Sequence, residues 1–286
     1  MSDSAALFRH EHEAMNTRFE VVIPETDADA GYAAQVAQAV FSEIDRLEDD
    51  LSRFRSSSDI ARIRKLKSGE SLLLGLAALD CLSLAKAVHA ETDGAFDITV
   101  GALMRIYRGD DDRLRLPSPE EEGWAHQRVG MKLFDLDEDS GRITVHADQI
   151  VLDLGACGKG YALDQCVGLL GDWSIKNALL NAGDSTVLGI GAAPSSDGWP
   201  VTAGNRVKQQ IILQNNALSG SGFHVKGAHI INPRTKRPVP PKPDRVWALA
   251  PTAALSDAIS TSFMVMKPEE VAVFCAKHPE VRAILD

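Results

Sequence analysis

Apolar residues between Ala28 and Phe54 fall at positions 33, 36, 37, 40, 44, 47 and 51. That spacing of three and four predicts one long amphipathic helix. Just upstream, residues 18–23 (RFEVVI) predict a strand. The Ser56-Ser57-Ser58 break suits the cap of a short second helix carrying Ile60 and Ile63. Residues 72–91 predict a third helix, apolar on most sides and therefore buried. It ends at Thr92-Asp93-Gly94, where glycine suits a left-handed helix terminus. The polar stretch 109–122 reads as a surface loop. Beyond it the pattern changes to short apolar runs. Strands are expected over 132–136 and 142–146, joined by a polar turn, and then over 150–154, 178–181, 186–190, 199–203, 210–214 and 246–250. Helices are expected from the glycine-rich turn at 155–160 through 170, and again over 253–266 and 268–277.

Helices crowd the first third (1–110) and strands the remainder (111–286), without regular βαβ alternation. This order predicts an α+β fold. No repeat and no shift of composition divides the chain, so 1–286 is expected to be one unit. With 44% hydrophobic and 24% charged residues, wholesale disorder is excluded. Forty acidic against thirty basic residues leave a net charge of −10. No nucleic-acid or anionic-membrane partner is expected, and an anionic ligand needs a metal, a helix end or a few placed cations. The four cysteines are scattered and form no CxxC pair, which disfavours a disulfide framework or a zinc knuckle. The N-terminus lacks a basic start with an apolar run, and no run of about 18 apolar residues exists. A cytoplasmic location without membrane insertion is expected.

Several places could carry chemistry. Residues 150–162 (IVLDLGACGKGYA) read as a strand, a small-residue turn and a helix start. Such a turn can aim backbone N–H groups at an anion, with Lys159 as an extra cation, or can simply be a tight connection. Asp97 in Asp93-Gly94-Ala95-Phe96-Asp97 could accept hydrogen bonds from a ligand or organise a turn. Asp257 and Thr261 stand four apart on a predicted helix, so their oxygens share one side. A carboxylate, a hydroxyl and a main-chain carbonyl form a donor set that Mg²⁺ accepts. His229 is a candidate general base, with His224 and Arg234 in the same stretch. The Gly220-Ser221-Gly222 turn lacks the spacing of a serine-hydrolase elbow.

Taken in order, these motifs form a series. It begins with Met15-Asn16-Thr17-Arg18-Phe19-Glu20, Glu43 to Glu48, Leu51-Ser52-Arg53-Phe54 and Ser58-Asp59-Ile60. It continues through Thr92 to Asp97, Asp153-Leu154-Gly155-Ala156 with Gly158 to Ala162, and Asn181-Ala182-Gly183-Asp184. It closes with Ser221-Gly222, His229 to Thr235, and Ser256-Asp257-Ala258 with Thr261. This series resembles the FAD:protein FMN transferases of the ApbE family, over roughly 15–266. The resemblance implies an α+β fold with a T-fold-like core, an additional α/β portion and antiparallel or mixed sheets with flanking helices. It implies Mg²⁺-dependent transfer of FMN from FAD to a Thr or Ser hydroxyl of a target protein, with release of AMP. By matching position it implies FAD contacts at Met15, Phe54, Ala95, Phe96, Asp97 and Lys159. Metal ligands would be the carbonyl of Ala156 and the side chains of Asp257 and Thr261, and His229 would be linked to catalysis.

The chain also departs from the family pattern. The usual Met-Gly-Thr is Met15-Asn16-Thr17, and the usual Tyr is Phe54. The usual Thr-Ser-Gly is Gly220-Ser221-Gly222, and an Asp-Pro-x-Thr-Gly turn becomes Asn232-Pro233-Arg234-Thr235-Lys236. These changes keep two alternatives open: an FAD pyrophosphatase that yields FMN and AMP, and a catalytically silent FAD-binding protein.

Overall fold

The structure is a computed structural model that describes residues 6–108, 114–204, 208–223, 230–240 and 245–285. It opens with a hairpin of β1 (Leu7–Ala14) and β2 (Thr17–Pro24). The two turn residues Met15 and Asn16 hold φ of 49° and 56°. Left-handed values at both positions match the twist of a two-residue hairpin loop, and asparagine tolerates them well. β2 was expected; β1 was not. Its sequence LFRHEHEA lies at a sheet edge with a mostly solvated face, so it carries little apolar signal.

Helix α1 (Ala30–Leu51) buries the predicted stripe, including Val36, Val40, Ile44, Leu47 and Leu51, and is capped by Asp29. Ser58 caps α2 (Asp59–Ile63) by accepting from the Ala61 N–H at 3.0 Å. The third predicted helix starts late. Residues 71–73 form β3 (Ser71–Leu73), and α3 (Leu76–Glu91) begins only after Gly75, whose N–H is held by Asp59 at 2.6 Å. The end of α3 is as expected: Gly94, at φ 75°, donates to the His89 carbonyl. Helix α4 (Gly101–Tyr107) follows. The stretch expected as a loop instead starts α5 (Pro119–His126), because Ser118 and Glu121 form a capping box. Strands β4 (Phe134–Asp137) and β5 (Arg142–Val145) complete a small sheet with β3. Residues 150–154 are no strand. Ile150, Val151, Leu152 and Leu154 are buried, but the Asp153 N–H goes to the Ile98 carbonyl outside any ladder.

The remaining elements complete the main sheet and add two short ribbons. They are α6 (Gly158–Asp172), β6 (Ala178–Ala182), β7 (Thr186–Ile190), β8 (Trp199–Ala203), β9 (Gln209–Leu213), β10 (Asn216–Gly222), β11 (Ile231–Asn232), β12 (Arg237–Pro238), β13 (Arg245–Ala250), α7 (Ala253–Val265), α8 (Pro268–Lys277) and β14 (Arg282–Leu285). Seven strands run in the order β1-β2-β6-β7-β10-β13-β14, and every neighbouring pair is antiparallel. Helices α1, α6 and α7 cover one face. The β8–β9 ribbon covers the other, setting Trp199, Ile211 and Leu213 against Val22, Leu218 and Trp247. This is the expected α+β architecture of antiparallel sheets with flanking helices. Fully buried side chains such as Phe19, Ile44 and Leu47 each contribute about 2–3 kcal/mol of transfer free energy to the core under α1. Among the described residues no helix is long and apolar enough to cross a membrane.

Candidate active site

The turn that opens α6 does not present a row of free N–H groups. Gly155 donates to Asp153 Oδ1 at 2.8 Å, and the N–H groups of Cys157 and Gly158 both return to the Leu154 carbonyl. Of the two readings open for this turn, these three positions follow the tight connection, their N–H groups being spent within it. What the turn offers is Lys159 and the Gly155 carbonyl. Lys159 Nζ donates to the Gly155 carbonyl at 3.0 Å and lies 3.4 Å from Asp257 Oδ2. Gly160 serves packing: a Cβ there would lie 2.2 Å from the Ala253 carbonyl, so α6 and α7 touch backbone to backbone. Asp164, one turn further along α6, accepts the Ala253 and Ala254 N–H groups at 2.7 and 2.8 Å and so caps α7. Burial pushes the Asp164 carboxyl up to about 6, against those two hydrogen bonds, and the charge of Asp257 adds to the rise.

Helix α7 places Asp257 and Thr261 one turn apart, as the spacing predicts. Asp257 is buried, with Lys159 as its ionic partner. Thr261 Oγ1 lies 2.9 Å from Ser221 Oγ, and Ser221 Oγ lies 2.8 Å from Ser260 Oγ. Ser260 in turn donates to the Asp257 carbonyl. A hydroxyl chain therefore runs from the end of β10 along α7 beside Asp257. Ala156 sits in the same turn as Gly155, next to the carbonyl that Lys159 holds.

A second corner is built on the end of α3. Ala95, Phe96 and Asp97 are all buried. Asp97 Oδ1 accepts both the backbone N–H and the hydroxyl of Thr99, at 2.7 and 2.5 Å, so this residue does organise a turn. Burial raises its carboxyl above the ordinary range, opposed by Thr99 and by the charges of His89 and Lys236. The next carbonyl, Ile98, receives the Asp153 N–H at 2.7 Å, which ties this corner to the α6 turn. Arg234 reaches over it, donating to the carbonyls of Thr92 and Asp93 and to Glu270. Asn232 Oδ1 accepts the Arg234 and Thr235 N–H groups, which keeps the turn closed where the family has aspartate. Lys236 takes the position of the missing glycine at φ 57°, and its ammonium donates to the His126 carbonyl at 2.7 Å. His229 and His224 lie outside the described residues.

Met15 stands at the hairpin turn, its N–H held by Glu48 at 2.9 Å. Glu48 also pairs with Arg55, next to Phe54. Phe54 is 83% exposed, with the Arg53 guanidinium 4.7 Å above its ring. With Arg53, Arg64 and Arg105 it lines two adjoining hollows, one of about 200 Å³ reaching Val151 and Leu152 and one of about 830 Å³ reaching Lys65 and Trp124. Arg53 is paired to Asp153 at 2.6 Å. Sequence reasoning did not single out Asp153 or Asp164 beside the site, or Arg53, Arg64 and Arg105 as the lining of the neighbouring cleft. Asp153 was legible as the acid before the turn; the arginines belong to separate elements, and no local pattern groups them.

Fold and site together define an antiparallel α+β protein. A cation and oxygen donors meet between two helix starts, beside an aromatic, basic cleft. The chain belongs to the ApbE family, whose model matches residues 15–285. A relative from Salmonella typhimurium named FAD:protein FMN transferase is 27% identical over 282 residues, which is 91% of this chain and 80% of that protein. The flavin transferase ApbE of Vibrio cholerae shares the fold with a TM-score of 0.87 at 20% identity, covering 98% of this chain and 93% of the other. The ApbE protein of Thermotoga maritima does so with 0.83 at 26% identity, covering 98% and 94%.

Proposed function

We propose that this chain transfers FMN from FAD to a Thr or Ser hydroxyl of a target protein and releases AMP, with Mg²⁺ bound at Asp257. The observation that carries the reading is the seat of Lys159 between the Gly155 carbonyl and the Asp257 carboxylate, within a chain of this family. An ammonium already bridges a main-chain oxygen and a carboxylate there, so the pocket accepts positive charge. The donors proposed for the metal are all oxygen: the Ala156 carbonyl, Asp257 and Thr261. Carboxylate, hydroxyl and carbonyl oxygens are hard donors, which suit Mg²⁺ better than a softer metal. A site with one carboxylate fits Mg²⁺, which keeps several waters and shares phosphate oxygens with its substrate.

Bound there, Mg²⁺ would neutralise the FAD diphosphate and polarise the phosphorus under attack. Lys159 would add a second positive charge on the diphosphate. Met15 and Phe54 would offer apolar surface to the flavin, and Ala95, Phe96 and Asp97 would meet the adenosine end. The acceptor oxygen attacks the FMN phosphorus, and the bond to the AMP phosphate oxygen breaks. The acceptor proton passes to a base, for which His229 is the candidate. Water could replace the acceptor in the same geometry. The departures that left hydrolysis open are accommodated locally: Asn232 closes its turn, and Lys236 adopts the left-handed conformation. Transfer is the better-supported reading because the chain's matched relatives are named FAD:protein FMN transferases.

The test is to incubate the protein with FAD, Mg²⁺ and candidate targets and to read intact masses. One FMN added to a target, with AMP released and with both lost on chelation, is expected. FMN and AMP appearing without labelled target would replace transfer by hydrolysis.

A further inference from the structure

We propose that the basic cleft beside Phe54 docks an acidic segment of the acceptor protein; this deepens the transfer reading and rests on it. Four cations line the cleft: Arg53, Arg64, Lys65 and Arg105. Among the described residues, Arg53 alone of the four has a carboxylate partner, Asp153 at 2.6 Å. Lys65 donates to the Ser56 carbonyl, and Arg105 lies 5.5 Å from the Trp124 ring. Among the described residues Arg64 has no ionic partner. Burial and the charges of Arg64 and Arg53 hold Arg105 below the ordinary arginine range, so these guanidiniums repel one another. Like charges gathered from three chain segments beside Phe54 and Trp124 cost folding free energy that a ligand carboxylate would offset.

The occupant follows from charge and from what FAD already claims. The diphosphate is accounted for by Lys159 and the proposed metal, and one ring face by Phe54. Arg64, Lys65 and Arg105 remain. The whole chain carries a net charge of −10. An acidic acceptor is therefore repelled by most of the surface and drawn to this cleft. Guanidinium forks match carboxylates in two-point geometry, and Trp124 offers a flat wall for an extended chain. The floor residues Val151 and Leu152 run directly into Asp153 and the turn that holds Lys159, so a segment lying here ends close to the reacting phosphate.

The test uses fluorescein-labelled peptides with a central Thr flanked on both sides by Glu, by Gln or by Lys. Anisotropy is measured with the full chain, FAD and Mg²⁺. The Glu peptide should bind about tenfold tighter than the Gln peptide, and the gap should close at high salt. Arg64→Gln with Arg105→Gln should weaken the Glu peptide about tenfold and leave FAD affinity, read by flavin fluorescence, within about twofold. Arg64→Lys with Arg105→Lys, which keeps the charge but not the two-point fork, should keep the Glu peptide tighter than the Gln peptide with a smaller gap, and serves if the Gln pair proves unstable. Equal binding of the Glu and Gln peptides overturns the proposal, as does a Gln pair or a Lys pair that loses FAD instead. A Glu peptide that binds but gains no FMN mass supports docking and counts against transfer.

Discussion

Lys159 Nζ lies 3.4 Å from Asp257 Oδ2, although 98 residues separate the two in the chain. Both side chains are largely buried, at 15% and 6% exposure. The pair exists because Gly160 lets α6 and α7 start against each other and because Asp164 caps α7 from α6. One helix thus supplies the cation and the other the carboxylate, and the Gly155 carbonyl completes the seat.

On the transfer reading, Asp257→Asn keeps the shape and removes the charge. Mg²⁺-dependent FMN transfer should drop by about 100-fold or more. Thr261→Val, which removes a neutral donor, should cost less, about tenfold. Initial rates across a metal titration decide the matter: an Asp257→Asn enzyme with unchanged rate and unchanged metal dependence removes Asp257 from the site.

Gly160 and Gly168 lie on the same helix and should respond oppositely to alanine. At Gly160 the new Cβ would meet the Ala253 carbonyl at 2.2 Å and the Ala254 nitrogen at 2.6 Å. Neither backbone group can step aside cheaply, so stability should fall by about 2–3 kcal/mol and transfer should fall with it. At Gly168 a Cβ meets nothing within 4 Å. That exchange should stabilise the helix by up to about 1 kcal/mol with activity unchanged. Thermal melts and rates of the two variants side by side provide the check.

The same pairing shows where the sequence was legible. The stripe of α1 gave a clear helical period because one of its faces is buried along its whole length. β1 lies at a sheet edge with alternating polar residues and gave no apolar signal. The run 150–154 looked like a buried strand because it is buried; burial alone does not say whether a ladder forms. The polar stretch expected as a loop holds a helix start, because Ser118 and Glu121 form a capping box that polarity alone does not reveal. In the site, the order of motifs pointed to the residues by resemblance. The contact of Lys159 with Asp257, the reach of Ser221 to Thr261 and the gathering of Arg53, Arg64 and Arg105 depend on tertiary packing, which local spacing does not encode.

Gly220 stands where the family usually has threonine, and its neighbours explain the exchange. A Cβ there would lie 2.6 Å from the Trp247 ring and 2.8 Å from Arg245 Nε. Arg245 stacks on Trp247 with its guanidinium carbon 4.0 Å from the ring centroid. Gly220→Thr alone should destabilise the protein by about 1–3 kcal/mol. Combined with Trp247→Leu it should recover part of that loss, because the ring that blocks the side chain is gone. Additive losses in a thermal double-mutant cycle would show that the ring is not the obstacle.

Asp164 makes stability depend on pH in a direction opposite to that of most carboxylates. Its folded value is pushed up to about 6 from an ordinary 3.8. Between these two values the folded chain holds a proton that the unfolded chain has released, so stability falls as pH rises from 4 to 6. The fall amounts to about 2–3 kcal/mol at most. Asp27, Glu43 and Glu270 have lowered values and push the other way. The comparison must therefore be made with Asp164→Asn rather than on the native chain alone. Subtracting the variant's urea-unfolding free energy from that of the native chain should leave a term that declines between pH 4 and 6 and levels off above 7. A flat difference would mean that the carboxylate stays ionised throughout, held by the Ala253 and Ala254 N–H groups. The cap of α7 would then be an unprotonated anion across the whole range.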